Sequence, residues 1–333
     1  MERPAHHPET LAPRIGVLLV NLGSPDAPEP GAVRRYLREF LSDRRVVEIP
    51  PIIWQVILNL FVLTTRPRKS AHAYQQVWTA EGAPLVAITR RQAEALAARL
   101  GGIVMVDWAM RYGAPSIADR LATLKAAGCD RILIAPLYPQ YSGATTATVM
   151  DAVGRALAAM RWQPAIRTLP PYHDDPLHIN ALAADAKAHL AALDFTPDAL
   201  LASFHSMPER TLSLGDPYHC QCQKTARLLS DALGQPLTIS FQSRLGRAKW
   251  LEPSTEATLA TLAQMGVRKL AVLTPGFSAD NLETLEEIAI RGRETFLAAG
   301  GTHFAALPCL NDGEPGMAMI EALVRRELGG WVS

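Results

Sequence analysis

Six short apolar runs, IGVLLVNL, IVMVDWAM, RILIAPLYP, ALLASFHS, LTISFQS and KLAVLTPGF, recur along the chain with helix-length stretches between them. A strand that is apolar on both faces has to be covered on both faces, so runs of this kind belong to parallel strands in βα order. The predicted class is α/β. The order of elements also repeats. From Met110 to Ser142 the chain reads strand end, basic and glycine turn, amphipathic helix, glycine turn, strand and aromatic loop, and from Gln242 to Ser278 it reads the same way. Gly128 and Gly266 mark equivalent turns, and their separation is far longer than a solenoid period. The pattern predicts two doubly wound domains whose parallel sheets face a central cleft. Their boundary falls near LPPYHDDP, where prolines and polar residues break the apolar pattern. The expected domains are 12–172 and 173–312, with a terminal segment 313–333 whose helix, about Met317 to Leu328, crosses back over the first half.

The chain of 333 residues is 48% hydrophobic and 20% charged, which is globular composition with length enough for two domains. A net charge of +1 offers no long-range attraction for nucleic acid, so none is expected as a partner. The opening residues contain no apolar signal core, and the expected location is the cytoplasm. Cys129, Cys220, Cys222 and Cys309 are too few and too scattered for a disulfide framework and read as reduced thiols.

Ligands of open α/β sheets sit beyond the carboxyl ends of the strands, so the loops after each strand carry the chemistry. None is a phosphate cradle: NLGSPDAPEPG lacks the glycine spacing of a dinucleotide turn, and no P-loop is present. His205 ends the run ALLASF at such a loop, where an imidazole can exchange a proton near neutral pH, bind a metal or simply bond to backbone. In SADNLETLEE, Asp280, Glu283 and Glu287 share one face of a predicted α-helix. Asp280 as N-cap and Glu283 three residues on would make a capping box. Glu287 is left over, with Arg291 one α-turn away to relieve it. An imidazole facing carboxylates across a cleft suits protons and a divalent cation such as Fe, Zn or Mn. HCQC, His219 to Cys222, offers only three ligands within four residues and reads as a helix start. Tyr112, Tyr138, Tyr141 and Trp250 follow strands in both halves and can line a cleft or pack in a core.

The run Ile52 to Leu63 is nearly all apolar and then turns cationic at Arg66, Arg68 and Lys69. As a helix it would be roughly 18 Å long, too short for a bilayer core of roughly 30 Å. It is either ordinary core or an apolar surface suited to a flat greasy ligand with acidic tails.

In order and over nearly the whole chain, VLLVNLGSPDAPEPGAVRRYLREFLSD, LYPQYSGATT, SFHSMPERTLSLGDPY, FQSRLGRAKWLEP and PGFSADNLETLEEI resemble the ferrochelatases, lyases that insert ferrous iron into a porphyrin at the end of haem synthesis. The resemblance implies two Rossmann-like domains with protoporphyrin IX between them and ferrous iron as the second substrate. It gives the catalytic and metal-handling roles to His205 and Glu283, and makes Asp280 and Glu287 a proton or metal conduit. Leu22, Arg111, Tyr112, Tyr138 and Trp250 become porphyrin neighbours, with Arg66 near the propionates. The segment of about 44–70 becomes a lip over the porphyrin mouth, its exposed side placed to rest peripherally on a membrane. Some relatives carry a [2Fe-2S] cluster. Here Gly143 stands where one cluster cysteine would be and the chain stops soon after Trp331, so no cluster and no other cofactor is expected. Two other functions remain open at this point: chelation into another tetrapyrrole such as coproporphyrin III, or non-catalytic haem or metal carriage on the same frame.

Overall fold

Strand β1 (Arg14–Asn21) lies at the middle of the first sheet, paired in parallel with β2 (Met105–Met110) on one side and β3 (Cys129–Pro136) on the other. β4 (Ala165–Thr168) extends β3, giving the order β2-β1-β3-β4. The second sheet repeats this with β5 (Ala199–His205) at its middle, β6 (Leu237–Gln242), β7 (Lys269–Leu273) and β8 (His303–Ala306), in the order β6-β5-β7-β8. In the computed structural model, which describes residues 6–7, 11–244 and 248–332, every pairing within these two sheets is parallel.

The buried strands follow from their composition. Val17, Leu18, Leu19 and Val20 of β1 have no exposed surface, and alternate residues feed two different cores: Val17 and Leu19 on one face of the sheet, Leu18 and Val20 on the other. Each such side chain contributes about 1.5–3 kcal/mol on burial. β4 and β8 were not among the six apolar runs. They are four-residue edge strands, partly exposed, so they lack the continuous apolar signature.

The repeat extends to the connections. After β2 the backbone returns to pair Met110 with Ser116, and Ser116 caps the next helix (Ile117–Ala126) by accepting from Asp119 N. After β6, Phe241 pairs with Ser254, which caps the helix Thr255–Gln264 by accepting from Ala257 N. The final helix (Glu314–Glu327) places Met317, Ile320, Leu323 and Val324 in one core with Val17, Leu19 and Leu133 of the first sheet. Arg99 ties it down through Glu314 and Glu321.

The apolar run after the first helix (Pro30–Leu41) forms helix Pro51–Ile57, a π-helical turn Leu58–Val62 and helix Leu63–Val77 in succession. Leu58 and Leu63 anchor it in the core beside Val33, Leu37 and Leu41. Most of the run faces outward, with Ile52 at 85%, Leu60 at 63% and Phe61 at 65% exposure. The run is therefore not ordinary core throughout. No helix among the described residues is long and apolar enough to cross a membrane.

Candidate active site

In each sheet the connections run opposite ways on either side of the middle strand, so a crevice opens where β1 and β3, or β5 and β7, end. His205 is the last residue of β5, and Asn21 holds the equivalent place on β1. The end of β1 is tied to the second half: Asn21 Nδ2 donates to Thr89 Oγ1 at 3.2 Å and to Ser278 Oγ, in the loop after β7, at 3.4 Å.

His205 keeps part of its surface open beyond the fully buried Phe204. Burial disfavours its charged form and lowers its pKa to about 4, so at neutral pH the ring is uncharged and able to accept a proton. Its register partner is Gln242, which no motif or periodicity marks as a candidate. The Gln242 side chain is buried. It accepts from Ser203 Oγ at 2.6 Å and donates to the Glu283 carbonyl at 3.0 Å, fixing the entry of the acidic helix against the strand that carries His205.

That acidic segment, Glu283–Gly292, is π-helical, and the difference from an α-helix rearranges its charges. Glu286 pairs with Arg291, five residues on, through bonds of 2.7 and 3.0 Å. Arg291 was expected to relieve Glu287; the i to i+5 spacing of the π-helix brings it to Glu286 instead. Glu287 accepts from Ser243 N at 2.8 Å and from Ser243 Oγ. Ser243 reaches it from a left-handed backbone, φ 67°, that non-glycine residues rarely hold.

The expected capping box is absent too. Asn281 is the cap, its Oδ1 accepting from Glu283 N at 2.9 Å and Thr284 N at 3.1 Å. Asp280 takes Thr284 Oγ1 at 2.8 Å, Asn311 Nδ2 at 2.7 Å and the Cys309 amide at 3.3 Å. The Asp280 carboxylate thus holds three protein donors, and Glu287 holds the two of Ser243.

No other side chain bonds to the Glu283 carboxylate among the described residues. Burial, reinforced by the neighbouring Glu287 charge, pushes its pKa up to about 7, while Arg66 pulls the other way. Arg66 is itself largely enclosed, which lowers its pKa, and its Nη1 is buried with no hydrogen-bond partner among the described residues. A neutral imidazole and a carboxyl poised between its two states thus lie on elements locked to each other, beside a guanidinium with a donor to spare. Such a site can take protons from a ligand and meet a cation with an oxygen donor.

The remaining sequence candidates divide. Leu22 packs at the seam of the halves with Leu85, Ile88 and Ala279. The Tyr138 hydroxyl is buried without a partner among the described residues. Trp250 pairs with Pro208 in an antiparallel bridge beside the His205 loop. Arg111 and Tyr112 are already engaged: the guanidinium lies 4.2 Å over the Tyr112 ring and binds Asp43 and the Thr148 carbonyl, and the Tyr112 hydroxyl binds Asp43 at 2.9 Å. Tyr112 has no exposed surface, so as placed neither offers a free polar group to the crevice. Tyr141 is held through its amide by Gln221 Oε1 at 2.7 Å. HCQC opens the helix Tyr218–Leu233, with His219 stacked on Phe241 and Cys222 buried. Among the described residues no three His, Cys, Asp or Glu side chains are grouped so as to hold a metal.

Comparison with known proteins bears on this arrangement. The ferrochelatase family model matches residues 14–328. The chain is 54% identical over 339 residues to the ferrochelatase of Rhizobium meliloti (strain 1021), covering all of both sequences. It is 52% identical to that of Methylocella silvestris, covering 98% of this chain and 97% of the relative. Among solved structures it is similar to SirB from Bacillus subtilis with Fe3+, at 12% identity and a TM-score of 0.58 over 96% of this chain and 97% of that one; at that identity the likeness shows the fold alone.

Proposed function

The chain belongs to the ferrochelatase family and is a porphyrin metal chelatase, and from that premise we propose that it inserts ferrous iron into protoporphyrin IX, releasing two protons. The observation that carries this reading is that Gln242, the register partner of His205, bonds the Glu283 carbonyl, so that an imidazole uncharged at pH 7 and a carboxyl with a pKa of about 7 stand on elements locked together. Metallation removes two pyrrole protons while a cation arrives, and these two groups match those two demands. A planar macrocycle keeps its nitrogen lone pairs in the ring plane. Binding energy from the ring's remote surface can hold it puckered and expose them.

In this reading His205 accepts pyrrole protons. Glu283 passes protons outward or offers an oxygen to the incoming iron, with Glu287 next in line. Asp280 holds the loop. The unpartnered Nη1 of Arg66 is suited to a propionate that enters this part of the cleft. Leu22, Tyr138 and Trp250 supply wall, and Arg111 with Tyr112 supports that wall from behind. The exposed segment Ile52–Leu63 serves as the lip and rests on a membrane from which an apolar substrate is drawn. No iron-sulfur cluster takes part. The domain limits follow the sheets, with 12–172 and 173–312 as the two halves and 313–333 returning to the first.

Anaerobic incubation with ferrous iron and each porphyrin tests the proposal. The metallated spectrum is expected to grow faster with protoporphyrin IX than with coproporphyrin III. A preference for coproporphyrin III would overturn the substrate assignment and leave the chelatase standing.

A further inference from the structure

The first half carries an open cavity of about 730 Å³ whose lining includes none of His205, Glu283, Glu287 and Arg66. Seven arginines and three acids line it, in a chain whose formal net charge is only +1. All three carboxylates are committed. Asp43 holds Arg111 and Tyr112, Asp151 holds Arg45 at 2.5 and 3.1 Å, and Glu39 accepts from the Gly113 amide at 3.0 Å. Among the described residues, Arg38, Arg44 and Arg155 have no carboxylate within ion-pair distance. Arg34 donates only to the Leu63 carbonyl, at 3.1 Å. Behind the lining residue Tyr112, Phe40 meets its ring edge to face and stacks in turn on Tyr36.

Cations gathered this way repel one another unless an anion sits among them. The arginines approach from two directions, Arg34 and Arg38 on the first helix and Arg155 on the helix Thr148–Ala158. A planar carboxylate is filled by one guanidinium fork, whereas the tetrahedral oxygens of a phosphate accept donors from several sides at once. We propose that this cavity binds a phosphate-bearing anionic ligand. Phosphate of that kind has two sources, a soluble oligophosphate and an anionic lipid headgroup. The second is within reach, because the row Arg34, Arg38 and Ser42 borders the exposed apolar segment: Arg34 bonds Leu63 and Gln55 Nε2 donates to Ser42 Oγ at 3.3 Å.

The test uses the whole chain and the double variant Arg38→Gln/Arg155→Gln, whose exposed side chains should leave the melting temperature and the turnover of detergent-dispersed porphyrin unchanged. Tripolyphosphate binding is read by calorimetry. Vesicle binding is compared between phosphatidylcholine alone and phosphatidylcholine with about a quarter phosphatidylglycerol. Binding should weaken with added salt and fall at least about tenfold in the variant. Loss confined to tripolyphosphate identifies the soluble source; loss of the phosphatidylglycerol dependence identifies the headgroup. Should the variant fail to fold, Arg44→Gln is read in the same two assays. If neither ligand responds to the substitutions, the cavity is no anion site. Binding to phosphatidylcholine alone reports on the apolar lip, so failure of the lip and failure of this site give different results.

Discussion

The two halves share a frame and divide the work. Their sheets have the same strand order, and their second helices the same serine cap. Each also follows its third strand with a π-helical segment, Gly143–Ala147 after β3 and Glu283–Gly292 after β7. The first of these is small and neutral, GATTA, its opening amide satisfied by Asp216 at 2.7 Å. The second carries Glu283, Glu286 and Glu287. The middle strands differ in the same sense: β1 ends in Asn21, spent on holding the halves together, and β5 ends in His205, whose ring takes no part in the side-chain hydrogen bonds of Gln242. The first half instead supplies the apolar segment and Arg66. One frame, used twice, ends its middle strand in a bonded asparagine in one copy and in the histidine we propose to handle protons in the other.

The largest expected effect contrasts the two strand ends. His205→Ala should lower chelation by about 10²–10⁴, the usual worth of a positioned acid or base, with porphyrin binding little changed. Asn21→Ala should instead cost about 1 kcal/mol of stability from its lost bonds and spare most of the turnover. Near-normal turnover in the histidine variant would break the division of labour.

Next in size is Glu283→Gln, which should abolish most activity and yet stabilise the protein above neutral pH. Between about pH 4.5 and 7 the folded state keeps a proton that the unfolded chain has released, so ionising Glu283 removes stability as pH rises through that window. The variant escapes this loss and should gain up to about 3 kcal/mol at pH 8 and nothing at pH 4. His205 acts in the opposite sense: its depressed pKa means stability present above pH 6.5 and lost as the pH falls toward 4. Urea melts of both variants across pH 4 to 8 separate the two signs. Glu286→Gln should behave as neither, costing stability by leaving Arg291 unpaired while the site stays in place.

A smaller effect is expected from the first half's outer surface. Leu60→Ser/Phe61→Ser should reduce porphyrin capture and vesicle association several-fold while barely moving the melting temperature, because both side chains are already in water. A collapsed melt with normal capture would place the run in the core after all.

The double frame was legible because parallel strands buried on both faces write continuous apolar runs, and His205 drew notice because it stands where one such run ends. The arrangement around them was not. An α-helical spacing put three carboxylates on one face, but the π-helix sent Arg291 to Glu286, Asn281 took the cap and Asn311 engaged Asp280. These are side-chain choices among residues distant in sequence, and no periodicity records them. Gln242 escaped notice for the same reason: it reads as one polar residue at a strand end, and its meaning comes from the Glu283 carbonyl it reaches. The short edge strands lacked an apolar run to announce them.

The proposed chemistry turns on Glu283 being a carboxyl that changes state near neutral pH beside the unpartnered Nη1 of Arg66. Difference infrared spectroscopy of the wild type against Glu283→Gln reads that state directly through the carbonyl stretch of a protonated carboxyl. The account predicts a band present at pH 6, titrating away around pH 7 and absent from the variant. A spectrum in which the Glu283 carboxyl is fully ionised by pH 5.5 would contradict it.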